Sequence, residues 1–327
     1  MSIEETVKKA TDQILDLCRV HNSYPMWTVT DKVSKLSPNP RAKPVKWSWN
    51  DMRKILMDTA AIVPESMAER RAMMMVNPGI PSGGGPSPYT TDTLYAGFQT
   101  VLPGETAPAH RHMAYAVRLI LESEKGFTSV AGHKIYLEPG DLVLTPSWQW
   151  HYHGNDGSKP TIWVDCLDIP VHVFGRINFL ELYEAPKVPD LVTEGSPFHF
   201  KWTTALEALQ SQDKPHMVYN YQTNGNHFSK TISAQAERIQ KGYSTPPFQE
   251  TCSFIYVVNS GSGSTKIKTP SEEITVDWQE KDVFVVPAWS WVEHRAGDAA
   301  DAYLCALTDR ALNENLGLYR KTYPSKK

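Results

Sequence analysis

The feature that most constrains this chain is an internal repeat. DLVLTPSWQW at residues 141–150 parallels DVFVVPAWSW at 282–291, and Gly104 with His110 six residues on corresponds to Gly242 with Phe248 six residues on. Around both copies, short runs rich in Val, Ile, Leu, Phe, Tyr and Trp alternate with Gly-, Pro- and Asn-containing breaks. They extend from Thr93 to about residue 174 and from Met217 to Asp309. Regularly spaced short strands of this kind specify a β-sandwich or barrel. Two copies of one barrel account for 327 residues better than a single domain does.

Residues 3–20 set apolar Val7, Ile14, Leu15, Leu17 and Cys18 at helical spacing among charges. A proline-rich stretch from Pro25 to Pro44 follows. A second helix is expected to start near Trp49 with Asn50 or Asp51 as its N-cap, and a Gly/Pro/Ser-rich loop covers 78–88. The expected organisation is all-β: an N-terminal helical arm and linker over 1–85, a first β-barrel over 86–185 and a second over 186–327.

Composition narrows the function classes. A net charge of −3 supplies no general attraction for nucleic acid or an anionic membrane, so an acidic substrate needs locally placed Arg or Lys. Cys18, Cys166, Cys252 and Cys305 form no C-x-x-C pair, which argues against a zinc ribbon or a disulfide framework. The start MSIEETVKKA lacks the apolar core of a secretory signal, and no run of about 18 apolar residues occurs. The expected location is the cytoplasm, with neither membrane nor nucleic acid as a partner.

The chemistry concentrates in the first copy. In APAHRHMAYAVRL, His110 and His112 are two apart on a strand-like run. Side chains at i and i+2 share one face of a strand, about 6.6 Å apart along it, so both imidazoles can meet one ion. PSWQWHYHGN then brings His151 and His153 on a neighbouring strand, and a third imidazole would complete a facial set with open positions.

Gly104-x5-His110-x-His112 and Gly140-x5-Pro146-x4-His151-x3-Asn155 look like the two motifs of the cupin superfamily. LYAGFQ at 94–99, APAHRH at 107–112, PSWQWHYHGN at 146–155 and DCLDIP at 165–170 together resemble the gentisate 1,2-dioxygenase family, which includes salicylate and 1-hydroxy-2-naphthoate dioxygenases. The resemblance is strong over residues 60–185. It implies a bicupin of two jelly-roll barrels, a homotetramer or homodimer, and one Fe(II). It also implies O2-dependent cleavage of gentisate between the carboxyl- and hydroxyl-bearing ring carbons to give maleylpyruvate, or the same reaction on salicylate, 1-hydroxy-2-naphthoate or a substituted gentisate. A metal-dependent cupin isomerase or hydrolase is the reading from another class.

The common cupin Glu ligand, four residues after the second His, is replaced by Ala116, which fits a three-His set. Spacing from Pro146 selects His151 as the third ligand. The repeat agrees, because the second copy has Phe248, Gln249 and Glu250 for the HRH triplet and Val292 for His151, yet retains His153 as His294. His153 shares the inner face as a candidate catalytic group, and a hydrogen bond needed by both copies is the alternative.

Arg118, six residues after His112, falls on that same face and becomes Tyr256 in the second copy. Its planar fork suits a substrate carboxylate, with an internal salt bridge to Asp165 or Glu122 as the competing reading. Gly97 and Gln99 share a face, Gly97 small enough to admit a ring and Gln99 able to bond a substrate oxygen. Asp165, paired with Ala306 in the repeat, is the candidate acid/base. Resemblance adds Arg71, or its neighbour Arg70, as a second carboxylate binder.

Overall fold

In a computed structural model, residues 2–64, 67, 71–81 and 89–324 are described. The chain divides into two units, Met1–Asn39 and Pro40–Lys327. In the first, the helix Ile3–Val20 follows the expected periodicity and opens on a capping box. The Glu5 amide donates to Ser2 Oγ at 3.2 Å, and the Ser2 amide donates to the Glu5 carboxylate at 2.7 Å. Glu4 and Glu5 in the first turn and Arg19 in the last complement the helix dipole. Of the expected loop at 78–88, residues 82–88 lie outside the described residues.

The second unit holds two β-barrels, each built from two facing sheets. In the first barrel one sheet runs His199–Phe200, Leu142–Thr145, Ala116–Glu122, Thr161–Leu167, Tyr95–Val101, Arg71–Met74. The other runs Leu180–Leu182, Thr106–His112, His151–Asn155, Gly126–Val130, His133–Tyr136, Leu191–Val192. The second barrel repeats the plan with sheets of seven and five strands.

Alternation explains why the central strands read as continuous apolar runs. In Ala116–Glu122, Val117, Leu119 and Leu121 face the core shared by the two barrels, together with Phe98, Val164, Ile255, Val257, Val285 and Leu307. Ile120 faces inward with Val101, Val143 and Trp163. Both faces are buried, so Arg118 is a charge set into a strand that water does not reach. Each buried Val, Leu or Ile contributes about 1.5–3 kcal/mol.

The two repeats exchange their leading strands. Val45–Trp47 pairs with Val283–Val286 of the second barrel, although the helix after it packs on the first. In return, His199–Phe200 pairs with Leu142–Thr145, and Leu191–Val192 runs parallel to His133–Tyr136. Strand pairing therefore crosses the boundaries read from the sequence: residues 45–47 of the arm serve the second barrel, and residues 191–200 serve the first. The capping aspartates follow the exchange. Asp282 Oδ1 accepts the Trp49 amide at 2.8 Å, and Asp141 Oδ1 accepts the Trp202 amide at 2.8 Å. This corrects the expected cap at Asn50 or Asp51. The helix is Trp49–Ile62 with Ser48 at its N-cap position, and the capping carboxylate comes from 233 residues away.

The repeat extends to backbone detail. Trp148 and Trp289 both occupy the left-handed region, at φ 63° and 57°. Their amides bond the carbonyls of His112 and Glu250, at 2.8 and 2.7 Å. Gly140, at φ 89°, turns the chain where a Cβ would lie 2.7 Å from the Trp202 ring. Among the described residues, no helix is long and apolar enough to cross a membrane.

Candidate metal centre

His110 and His112 lie on Thr106–His112, and His151 stands directly opposite His110 on the adjacent strand. One ring nitrogen from each lies within 4.8 Å of the others, and all three residues are buried. Ring centroids are 4.1 Å apart for His110 and His151, 4.7 Å for His112 and His151, and 5.5 Å for His110 and His112.

The hydrogen bonds define the tautomers. His110 Nδ1 contacts the Pro108 carbonyl at 2.9 Å, His112 Nδ1 the Ala114 carbonyl at 2.7 Å, and His151 Nδ1 the Gln149 carbonyl at 2.9 Å. A carbonyl can only accept, so each Nδ1 carries the proton, and in its neutral form each ring presents the lone pair of Nε2. His151 Nε2 is buried without a hydrogen-bond partner, a cost that a coordinated ion would remove. Burial, reinforced by His110 and His112, holds His151 well below its ordinary pKa, in the neutral form that coordination requires. Three imidazoles with no carboxylate among them fit a divalent transition metal.

The same interior carries a charged pair. Arg118 lies opposite Asp165 in the sheet, with Nε 2.9 Å from Oδ1, and donates through Nη1 to Thr145 Oγ1. Trp163 Nε1 donates to Asp165 Oδ2 at 2.9 Å. Burial pushes the Arg118 guanidinium down while Asp165 opposes the shift. Of the two internal bridges weighed from the sequence, the one to Asp165 is formed. In the second barrel Tyr256 stands opposite Ala306 in the same register, so that barrel lacks both charges. Thr145 was missed by sequence reading, although a signal existed: its counterpart is Val286, apolar where the His cluster is also absent.

Gly97 lies opposite Asp165, and Gln99 opposite Trp163. Gln99 Nε2 is buried with no hydrogen-bond partner among the described residues, a donor available to an incoming oxygen. A Cβ on Gly97 would come within 2.5 Å of the Tyr95 hydroxyl and 3.0 Å of the Met73 carbonyl. The space beside Gly97 thus already accommodates Tyr95. His153 Nδ1 contacts Thr128 Oγ1 at 2.9 Å, and His294 repeats this with Thr265 at 2.8 Å. That recurrence is the shared hydrogen bond the repeat suggested, and it leaves the His153 ring 5.7 Å from His151, centroid to centroid.

Arg71 stands opposite Thr100, on the face of Phe98 rather than that of Gly97 and Gln99. Its guanidinium is engaged by Glu105 and the Ala60 carbonyl. Arg70 lies outside the described residues. Trp148 and Trp150 flank Arg111 at 4.5 Å each, on the face of the strand away from the cluster, and Arg111 bridges Glu181 at 2.6 Å.

A cupin domain model matches residues 97–169. Gentisate 1,2 dioxygenase 1 of Aquipseudomonas alcaligenes is 32% identical over 97% of both chains. A 5-aminosalicylate 1,2-dioxygenase of Comamonas sp is 34% identical over 94% of this chain and 88% of its own. The crystal structure of salicylate 1,2-dioxygenase from Pseudoaminobacter salicylatoxidans with gentisate superposes with a TM-score of 0.87 at 26% identity, covering 96% of this chain and 94% of that one. Two jelly-roll barrels, with the imidazole cluster in the first alone among the described residues, make this a bicupin, and its relatives make it a dioxygenase. The chain belongs to the gentisate 1,2-dioxygenase family.

Proposed function

We propose that this protein holds one Fe(II) through Nε2 of His110, His112 and His151 and opens the ring of gentisate between C1 and C2, adding both atoms of O2 to give maleylpyruvate. The observation that carries this reading is the set of three buried imidazoles, each fixed by a backbone carbonyl so that its lone pair faces the others. Fe(II) bound there would supply a Lewis acid for the substrate's carboxylate and adjacent hydroxyl, together with a one-electron partner for O2.

The chain's own groups bind and orient the acid. Arg118, aligned by Thr145 and charge-balanced by Asp165, receives the substrate carboxylate. Gln99 donates its unpaired N–H to a ring oxygen, and the buried walls exclude water from the reacting ring. Asp165 and His153 are the candidates for taking the proton of the second hydroxyl, separated by comparing kcat of Asp165→Asn and His153→Gln on gentisate. The relatives' names support a hydroxylated aromatic acid as the substrate class and gentisate as the first member to test.

Anaerobic reconstitution with Fe(II), followed by O2 uptake with gentisate, 5-aminosalicylate, salicylate and 1-hydroxy-2-naphthoate, tests the proposal. Gentisate is expected to give the highest kcat/KM. His110→Ala is expected to lose both the iron and the uptake; full turnover by an iron-free variant would contradict the ligand assignment.

A further inference from the structure

His112 Nδ1 donates to the Ala114 carbonyl at 2.7 Å, and the amide of that same peptide unit, Tyr115 N–H, donates to Asp168 Oδ1 at 2.8 Å. The peptide thus carries a hydrogen bond at each end, with an imidazole on one side and a buried carboxylate on the other. Such an amide is polarised in one direction: the carboxylate draws on the N–H and enriches the carbonyl oxygen, which strengthens its hold on the imidazole N–H. Carboxylates that act on a ligating histidine usually contact the ring directly. Here the contact passes through one peptide bond.

Asp168 is itself held by the second barrel. Its Oδ2 accepts Thr231 Oγ1 at 2.5 Å, and Thr231 is positioned through Ser229 Oγ at 3.1 Å. The Tyr115 hydroxyl reaches the same segment, donating to the Phe228 carbonyl at 3.2 Å. His172 Nε2 lies 3.1 Å from Asp168 Oδ1. The carboxylate is buried, so these contacts fix it without competition from water.

The molecule contains its own control. In the second barrel Asp309 Oδ1 accepts the Ser253 amide at 2.8 Å, and Oδ2 accepts Thr93 Oγ1 of the first barrel at 2.5 Å. This mirror clasp ends on no imidazole, because Glu250 replaces His112 and pairs instead with Arg310 and Tyr319, both at 2.7 Å. The clasp alone is therefore architectural. What the first barrel adds is the link from clasp to ligand.

We infer that Asp168 is a positioning residue for His112, acting through the Ala114–Tyr115 peptide, and that the second barrel, through Thr231, holds this carboxylate in place for the metal centre of the first. The inference rests on the proposed metal reading. Its test is the anaerobic affinity of the full-length protein for Fe(II) alone, measured by competition with a chromophoric chelator. Asp168→Asn, which keeps the shape and removes the charge, is expected to raise the Fe(II) Kd about tenfold. Thr231→Val, which frees the carboxylate without touching the ligand strand, is expected to raise it severalfold. Asp309→Asn, in the mirror clasp, is expected to bind Fe(II) as the parent does. Wild-type affinity in Asp168→Asn, or an equal loss in Asp309→Asn, would overturn the inference while leaving the three-His reading intact. A parent protein that binds no Fe(II) would overturn both.

Discussion

At the scale of single residues, the first barrel differs from the second by a small set of side chains that change together. His110, His112, His151, Arg118, Thr145 and Asp165 become Phe248, Glu250, Val292, Tyr256, Val286 and Ala306. The functional reading of Arg118 rests on its fork, which meets Asp165 and Thr145 from inside an apolar strand. A lysine keeps the charge but cannot present the same planar pair of donors. Arg118→Lys is therefore expected to raise KM for gentisate about tenfold or more with iron stoichiometry unchanged, as measured by steady-state O2 uptake beside metal analysis. An unchanged KM would remove Arg118 from carboxylate recognition.

At the scale of elements, the exchanged strands and caps make each barrel dependent on a segment that chain order assigns elsewhere. Asp282→Ala removes the acceptor for the first free amide of the helix Trp49–Ile62 and unpairs Lys46, whose ammonium lies 3.4 Å away. A lost cap costs about 0.5–2 kcal/mol. Urea unfolding is expected to show a loss in that range, and an equal loss is expected for Asp141→Ala at the helix Trp202–Gln210. The sequence made much of this level legible. The strands carrying the histidines were readable because i, i+2 spacing and the turn after Gly140 are local, and because the second copy marks which residues vary with the ligand set. Three things were not readable. The N-cap of Trp49–Ile62 is supplied by a residue 233 positions away. The face of Arg71 depends on its register against Thr100, which four residues of strand do not encode. The exchange of leading strands is a long-range pairing that leaves no local pattern.

At the scale of the whole molecule, the two barrels share one apolar core, and the second interior has its own buried polar groups in place of a ligand set. Burial raises the Glu237 carboxyl, but the His216 hydrogen bond at 2.8 Å, the nearby His294 and His216 charges and the Gln235 amide at 2.8 Å outweigh it and bring the pKa to about 2. A folded pKa below the unfolded value means that the group stabilises the fold above about pH 4.5 and loses that contribution as pH falls toward 2. Burial likewise depresses His294 to about 4, so its neutral form favours the folded state above pH 6.5 and that advantage fades as pH falls from 6.5 through 4. Burial raises the Asp309 carboxyl to about 6, which favours the fold as pH falls from 6 toward 4 and offsets His294, so the net decline is expected below about pH 4.5. Glu237→Gln is expected to flatten the part below pH 4.5, as read by urea midpoints across the range.

In the proposed function, three carbonyl-anchored imidazoles of one barrel share a single ion that makes the protein an oxygenase. Anaerobic titration of metal-free protein with Fe(II), followed by O2 consumption on adding gentisate, tests this most directly. The expected result is saturation at one iron per chain, with one O2 consumed per gentisate opened and neither event in His151→Ala. Ring opening by the metal-free protein, or iron bound equally well without His151, would contradict it.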